Sequence, residues 1–80
     1  MTGGKADPNT VTMTLAQFLK SRRSVVGLSQ SELAARLGLS VPSISLYESG
    51  GRTPPAKVLQ RLAVELRFSL GDLDRLEVSS

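Results

Sequence analysis

Few side chains in this sequence are equipped for covalent or acid–base chemistry. Histidine and cysteine are both absent, so there is no imidazole base, no thiolate nucleophile and no soft ligand for a metal. The carboxylates have other employment: Glu32 and Asp72 follow Ser29 and Ser69 by three residues, the spacing of a helix capping box. No close carboxylate pair is left for acid and base roles, and the serines stand where caps and turns need hydroxyls. Neither an enzymatic role nor a cofactor or metal is expected. Positive charge remains. Leu15 to Arg61 holds Lys20, Arg22, Arg23, Arg36, Arg52, Lys57 and Arg61 against Glu32 and Glu48 alone. From Leu62 onward the balance reverses, with Glu65, Asp72, Asp74 and Glu77 against Arg67 and Arg75. A basic segment with an acidic end points to one face for nucleic acid and another turned away from it. On charge alone, an ordinary solvated surface is the simpler reading.

The elements that must position these side chains are helices. At 80 residues the chain is one domain with a small core, hiding only roughly 60% of its unfolded surface. Without disulfides, oligomerisation is the remaining support. No apolar run approaches the roughly 20 residues that span a bilayer, and Met1 to Thr14 lacks the apolar core of a signal peptide. The expectation is a soluble, cytoplasmic protein without a membrane partner. No segment alternates as a strand does, so the fold class is all-α, with five helices in residues 14–76. Residues 1–13 read as a flexible arm carrying one cation, Lys5, and 77–80 as a tail.

Thr14 with Gln17 opens the first helix, which ends near Val25 or Val26, before Gly27. Ser29 with Glu32 opens a second, with Leu33, Ala34 and Leu37 on one face and Gly38 to stop it. Ser40 caps a third; Pro42 pushes Val41 away from helical dihedrals, so this helix is expected to start a residue late. Gly51 to Pro55 is a loop, with Pro55 suited to the first turn of a helix over about 56–66. Ser69 with Asp72, and Phe68 with Leu73, mark a short fifth helix.

Two short helices this close in sequence must cross steeply, with Ala34, Leu37 and Ile44 in the crook, which is the helix-turn-helix geometry. Here the chain resembles the lambda repressor-like, Xre-type family of DNA-binding domains. The resemblance rests on Leu28-Ser29-Gln30, Glu32-Leu33-Ala34, Gly38, Ser40, Ser43-Ile44, Tyr47-Glu48 and Gly50. It extends to Arg23 upstream and to Pro54, Leu62-Ala63, Leu66, Ser69 and Leu73 downstream, about residues 14 to 74.

The resemblance implies double-stranded DNA as partner, a small transcriptional regulator, more readily a repressor, and the helix around 40–49 in the major groove. Ser29, Gln30, Ser49, the Gly51 amide, Arg52 and Lys57 then correspond to phosphate contacts, which position a protein without reading sequence. Arg23 and Glu48 match a structural pair that ties the first helix to the end of the third. Base contacts fall to Gln30, Val41, Pro42, Ser43, Ser45 and Leu46. Relatives brace this Gln against the first residue of the recognition helix, but Val41 cannot hydrogen-bond back, which leaves Gln30 free for a base.

Val41, Pro42 and Leu46 stand where relatives carry polar readers, so modest sequence specificity is expected. The alternative keeps the fold and gives these apolar residues to a protein partner, as in an antitoxin. A homodimer is expected on half-sites about 34 Å apart. Its interface is placed at the acidic end, Phe68 to Ser80, with Leu76 and Val78 left over from the core pattern.

Overall fold

Four α-helices and a closing 3-10 turn make up the fold in a computed structural model, which describes residues 13–76. Lys5, Val78 and the expectations for the arm and tail, Met13 apart, lie outside the described residues. The helices are α1 (Leu15–Val26), α2 (Gln30–Leu37), α3 (Val41–Ser49) and α4 (Ala56–Leu66). No strand occurs among the described residues, and none of their helices is long and apolar enough to cross a membrane.

Local chemistry sets the boundaries. The Thr14 and Gln17 side chains exchange bonds with each other's backbone amides at 3.2 and 3.0 Å. Ser29 and Glu32 repeat the exchange at 3.0 and 2.8 Å. Gly38 ends α2 at φ 69°, a left-handed conformation that a side chain would strain. It lets α3 begin after only Leu39 and Ser40.

Two boundaries differ from expectation. α3 starts at Val41, with Ser40 as N-cap at φ −88°, ψ 156° and its side chain accepting from the Ser43 amide. Pro42 therefore falls in the first turn, where its missing N–H has no intrahelical partner to lose. The cap outweighs the bias that Pro42 places on Val41, and the start is not delayed. Pro55 sits one residue earlier than expected, as the N-cap of α4.

The short fifth helix expected after Ser69 is not a fifth α-helix but a six-residue 3-10 segment, Leu70–Arg75. Its Ser69 amide does donate to Asp72 Oδ2 at 3.0 Å. Gly71, Asp72 and Asp74 are poor helix formers, and a run this short suits the tighter turn.

Leu19, Leu33, Ala34, Leu37, Ile44, Tyr47, Leu62 and Leu66 form one buried cluster drawn from all four helices. α3 packs on both α1 and α2, and α4 closes against the same two. Phe18 meets Phe68 edge to face, centroids 5.0 Å apart at 81°. Phe68 is thereby engaged inside the fold, so of the expected dimer interface Leu70 is the large apolar side chain left exposed among the described residues.

Candidate nucleic-acid interface

α3 has a buried face and an exposed one. Ile44, Tyr47 and Glu48 turn inward, while Val41, Pro42, Ser45, Leu46 and Ser49 are exposed and Ser43 is half-buried. Val41 keeps 38% of its surface and Leu46 44%. The hydroxyls are not equally available. Ser43 Oγ lies 3.1 Å from Ser40 Oγ, and Ser49 Oγ donates to the Leu46 carbonyl at 3.2 Å. Ser45 alone on this helix has an exposed hydroxyl without a partner among the described residues.

Glu48, buried behind this face, gathers three donors. Arg23 Nε reaches Oε2 at 2.7 Å and Nη2 reaches Oε1 at 3.0 Å, the forked geometry that suits guanidinium to carboxylate. Arg23 Nη1 also donates to the Leu28 carbonyl at 2.9 Å, so one side chain joins α1, the turn before α2, and α3. The side chains are 15% and 5% exposed. The hydrogen bond to Glu48 raises the Arg23 pKa further, against the opposing effect of burial.

The third donor corrects an expectation. Gln30 Nε2 donates to Glu48 Oε1 at 3.1 Å, so Gln30 is braced after all, by Glu48 instead of the first residue of α3. Because a carboxylate only accepts, the amide must turn an N–H toward it. The carbonyl oxygen and the second N–H remain for another partner.

Around α3 lie groups suited to an anion. The Ser29 hydroxyl and amide are both engaged in the capping box, but the Gln30 and Ser31 amides at the start of α2 find no partner among the described residues. Such amides and the helix dipole favour negative charge. In the loop, the Ser49 proton is spent on Leu46 and the Gly51 amide makes only a long 3.4 Å contact to Ser49 Oγ. A Cβ on Gly51 would approach Leu46 Cδ2 to 3.0 Å, so the loop fits tightly over the end of α3. The Arg52 guanidinium sits 5.9 Å from the centre of the Tyr47 ring, which steadies it without neutralising its charge. Lys57 is exposed on the first turn of α4. The neighbouring backbone adds donors that no motif in the sequence marks: Pro55 supplies no capping side chain, so the Ala56, Lys57 and Val58 amides are open among the described residues. The signal was available, since proline has no side-chain acceptor to cap with.

The basic segment is less uniform than its composition. Arg22 donates to the Leu66 carbonyl through Nε and Nη2 at 3.1 and 3.0 Å, and to the Arg67 carbonyl at 2.9 Å. Arg61 does the same at the end of α2, reaching Leu37 and Arg36 carbonyls at 3.0 Å each. Arg36 pairs with Glu65 at 3.3 Å. With Arg23 on Glu48, four of the segment's seven cations end on protein acceptors. Lys20, Arg52 and Lys57 make no ion pair or side-chain hydrogen bond among the described residues.

A groove of about 560 Å³ opens beside Arg52, between the start of α1 and the 3-10 segment. Among the described residues its only lining carboxylate is Glu48, already held by Arg23 and Gln30. No metal-ligating cluster occurs among the described residues.

The helix-turn-helix family profile matches residues 19–73. Over 52 residues the chain is 42% identical to an uncharacterized HTH-type transcriptional regulator of Mycobacterium tuberculosis, covering 65% of this chain and 37% of that protein. It is 33% identical over 64 residues to the ImmF control region 10 kDa protein of Bacillus phage phi105, covering 80% and 71%. The cryptic phage CTXphi transcriptional repressor RstR of Vibrio cholerae is 30% identical over 61 residues, covering 76% and 54%. The chain thus spans little more than a third of the mycobacterial relative's length. The matched stretch runs from Leu19 in α1 through the α2–α3 unit to Leu73, and on that basis the chain belongs to the lambda repressor-like, Xre-type helix-turn-helix family.

Proposed function

We propose that the chain binds double-stranded DNA as a small transcriptional regulator, acting as a repressor in the cytoplasm, with α3 in the major groove. The observation that carries this is the exposed, uncharged face of α3 beside Arg52, Lys57 and the open amides of α2 and α4. Phosphates would meet Gln30 and the α2 amides on one side, and the Gly51 loop, Arg52, Lys57 and the α4 amides on the other. Ser49 would join them only by giving up its bond to Leu46, and Ser29 through its hydroxyl proton. Two phage relatives, one named a transcriptional repressor, support the regulatory reading.

A domain this small offers few base contacts, so two copies would bind half-sites about 34 Å apart. The logarithm of duplex affinity should fall linearly with log salt, and Arg52→Ala should flatten that slope by about one unit while weakening all sequences alike. An affinity insensitive to salt would sink the proposal.

The exposure of Val41 and Leu46 favours one second reading, a protein partner on the same face. Leu46→Asp separates the two: it should abolish duplex binding if α3 enters the groove. If duplex binding survives and a protein complex is lost, the face belongs to the partner.

A further inference from the structure

We infer that α3 reads the C5-methyl groups of pyrimidines in the major groove, those of thymine and of 5-methylcytosine alike, in preference to the hydrogen-bonding edges of bases. This rests on the DNA-binding reading above and names what that surface selects.

α3 presents few polar groups to a partner. Its one charged residue, Glu48, is buried and held by Arg23 and Gln30, so no fork of donors or acceptors projects from α3. Ser49 has spent its proton on Leu46, and Ser43 is half-buried against Ser40. Ser45 is the one exposed hydroxyl without a partner among the described residues. Against it stand Val41, Pro42 and Leu46, all exposed. Val41 and Ser45 are four residues apart, as are Pro42 and Leu46, so the apolar atoms form a patch across two adjacent stripes.

Pressed into the groove, this patch would strip water from base edges and return no hydrogen bond. Facing N7, O6 or N4 it therefore costs free energy. The C5-methyl group is the only apolar feature of the groove floor, and a side chain of this kind is complementary to it. Arg52 and Lys57, with the open amides, draw the phosphate backbones in without regard to sequence, so discrimination is left to methyl contacts and Ser45. A methyl on C5 of cytosine occupies the same place as that of thymine. Val41, Pro42 and Leu46 have no group by which to tell the two apart, and cytosine methylation should therefore strengthen binding at a position they contact.

The test uses the whole chain and duplexes recovered by selection from a random-sequence pool. Each thymine of the selected site is replaced in turn by uracil, which removes the methyl and keeps every hydrogen-bonding group. A parallel set places cytosine or 5-methylcytosine at the same positions. Loss of a contacted methyl should weaken binding about fourfold, and 5-methylcytosine should exceed cytosine by a similar factor. Leu46→Ala should bring the thymine-to-uracil ratio toward one. Val41→Ala repeats that measurement at a second position, should Leu46→Ala disturb the Gly51 loop. Equal binding of thymine and uracil duplexes at every position would overturn the inference. A response to thymine without one to 5-methylcytosine would overturn the shared recognition. No binding to any duplex would instead remove the DNA-binding reading beneath it.

Discussion

Arg22, Arg23, Arg36 and Arg61 end on protein acceptors, whereas Lys20, Arg52 and Lys57 find none among the described residues. The division follows chemistry more than position. A planar guanidinium can bridge two carbonyls or both oxygens of a carboxylate; a lysine ammonium is a compact, strongly hydrated charge. Arg22 and Arg61 each use the fork on the last carbonyls of a helix, which have no partners within the helix. Arg23 uses it on Glu48. In a small domain without disulfides, some of the positive charge is thus a fastener for helix ends. The formal net charge of +3 gives little guidance to which cations remain for an anionic partner.

The largest expected effect lies within the fastening group. Arg23→Ala strands Glu48 and Glu48→Ala strands Arg23, and removing one partner of such a buried pair costs roughly 3–5 kcal/mol. For a domain of this length, total stability is on the order of 4–12 kcal/mol, so either variant should lose a large share of it. Urea unfolding should find the double variant little worse than either single one, because the first substitution already breaks the unit. Additive losses would show that the pair carries no shared energy.

A sharper form of the comparison sets Arg22→Ala against Lys20→Ala on the same helix. Arg22 holds the Leu66 and Arg67 carbonyls where Arg67 itself adopts φ 59° as the C-cap of α4, a conformation that costs energy for a residue other than glycine. Its loss should cost about 1.5–3 kcal/mol, as for hydrogen bonds from a charged donor. Lys20→Ala should stay within about 0.5 kcal/mol. Similar melting temperatures for the two variants would erase the distinction between fasteners and available charge.

What the sequence made legible is what neighbours along the chain decide. Thr14 with Gln17, Ser29 with Glu32, and Gly27 and Gly38 announce the ends of α1 and α2 because caps and left-handed stops act within a turn. The buried stripes of α2 and α4 follow from helical spacing. Arg23 and Glu48 stand 25 residues apart, and no spacing rule joins them; the family resemblance did. Arg22 with Leu66, 44 residues away, and Arg61 with Leu37, 24 away, had neither local pattern nor resemblance to reveal them. On charge alone the basic segment is most simply an ordinary solvated surface, and charge gives no way to sort these fasteners from the available cations. Gln30 was misjudged for a related reason: its acceptor is on the far end of α3, outside the reach of any rule on helix starts.

The smallest effect compares the two capping boxes, which differ in one respect. Thr14 is answered by Gln17, an uncharged amide, and Ser29 by Glu32, a carboxylate. The bonds from Ser29 hold the Glu32 carboxyl below its ordinary range. A carboxyl that binds its proton less tightly in the folded than in the unfolded chain stabilises the fold above its ordinary pKa of about 4.3; that contribution disappears as pH falls through the lower folded value. The α1 box cannot respond, since neither Thr14 nor Gln17 titrates in this window. Glu32→Gln, which gives α2 the same kind of box as α1, should therefore lower the melting temperature slightly at pH 7, where the charge also favours the helix N-terminus. The gap between this variant and the parent should close as the solution is acidified below pH 4. The other carboxylates titrate alike in both proteins, so the difference between the two curves isolates Glu32. If the gap instead stays constant from pH 7 to pH 2, the hydrogen bonds alone distinguish the boxes. The charge of Glu32 would then contribute nothing to the start of α2.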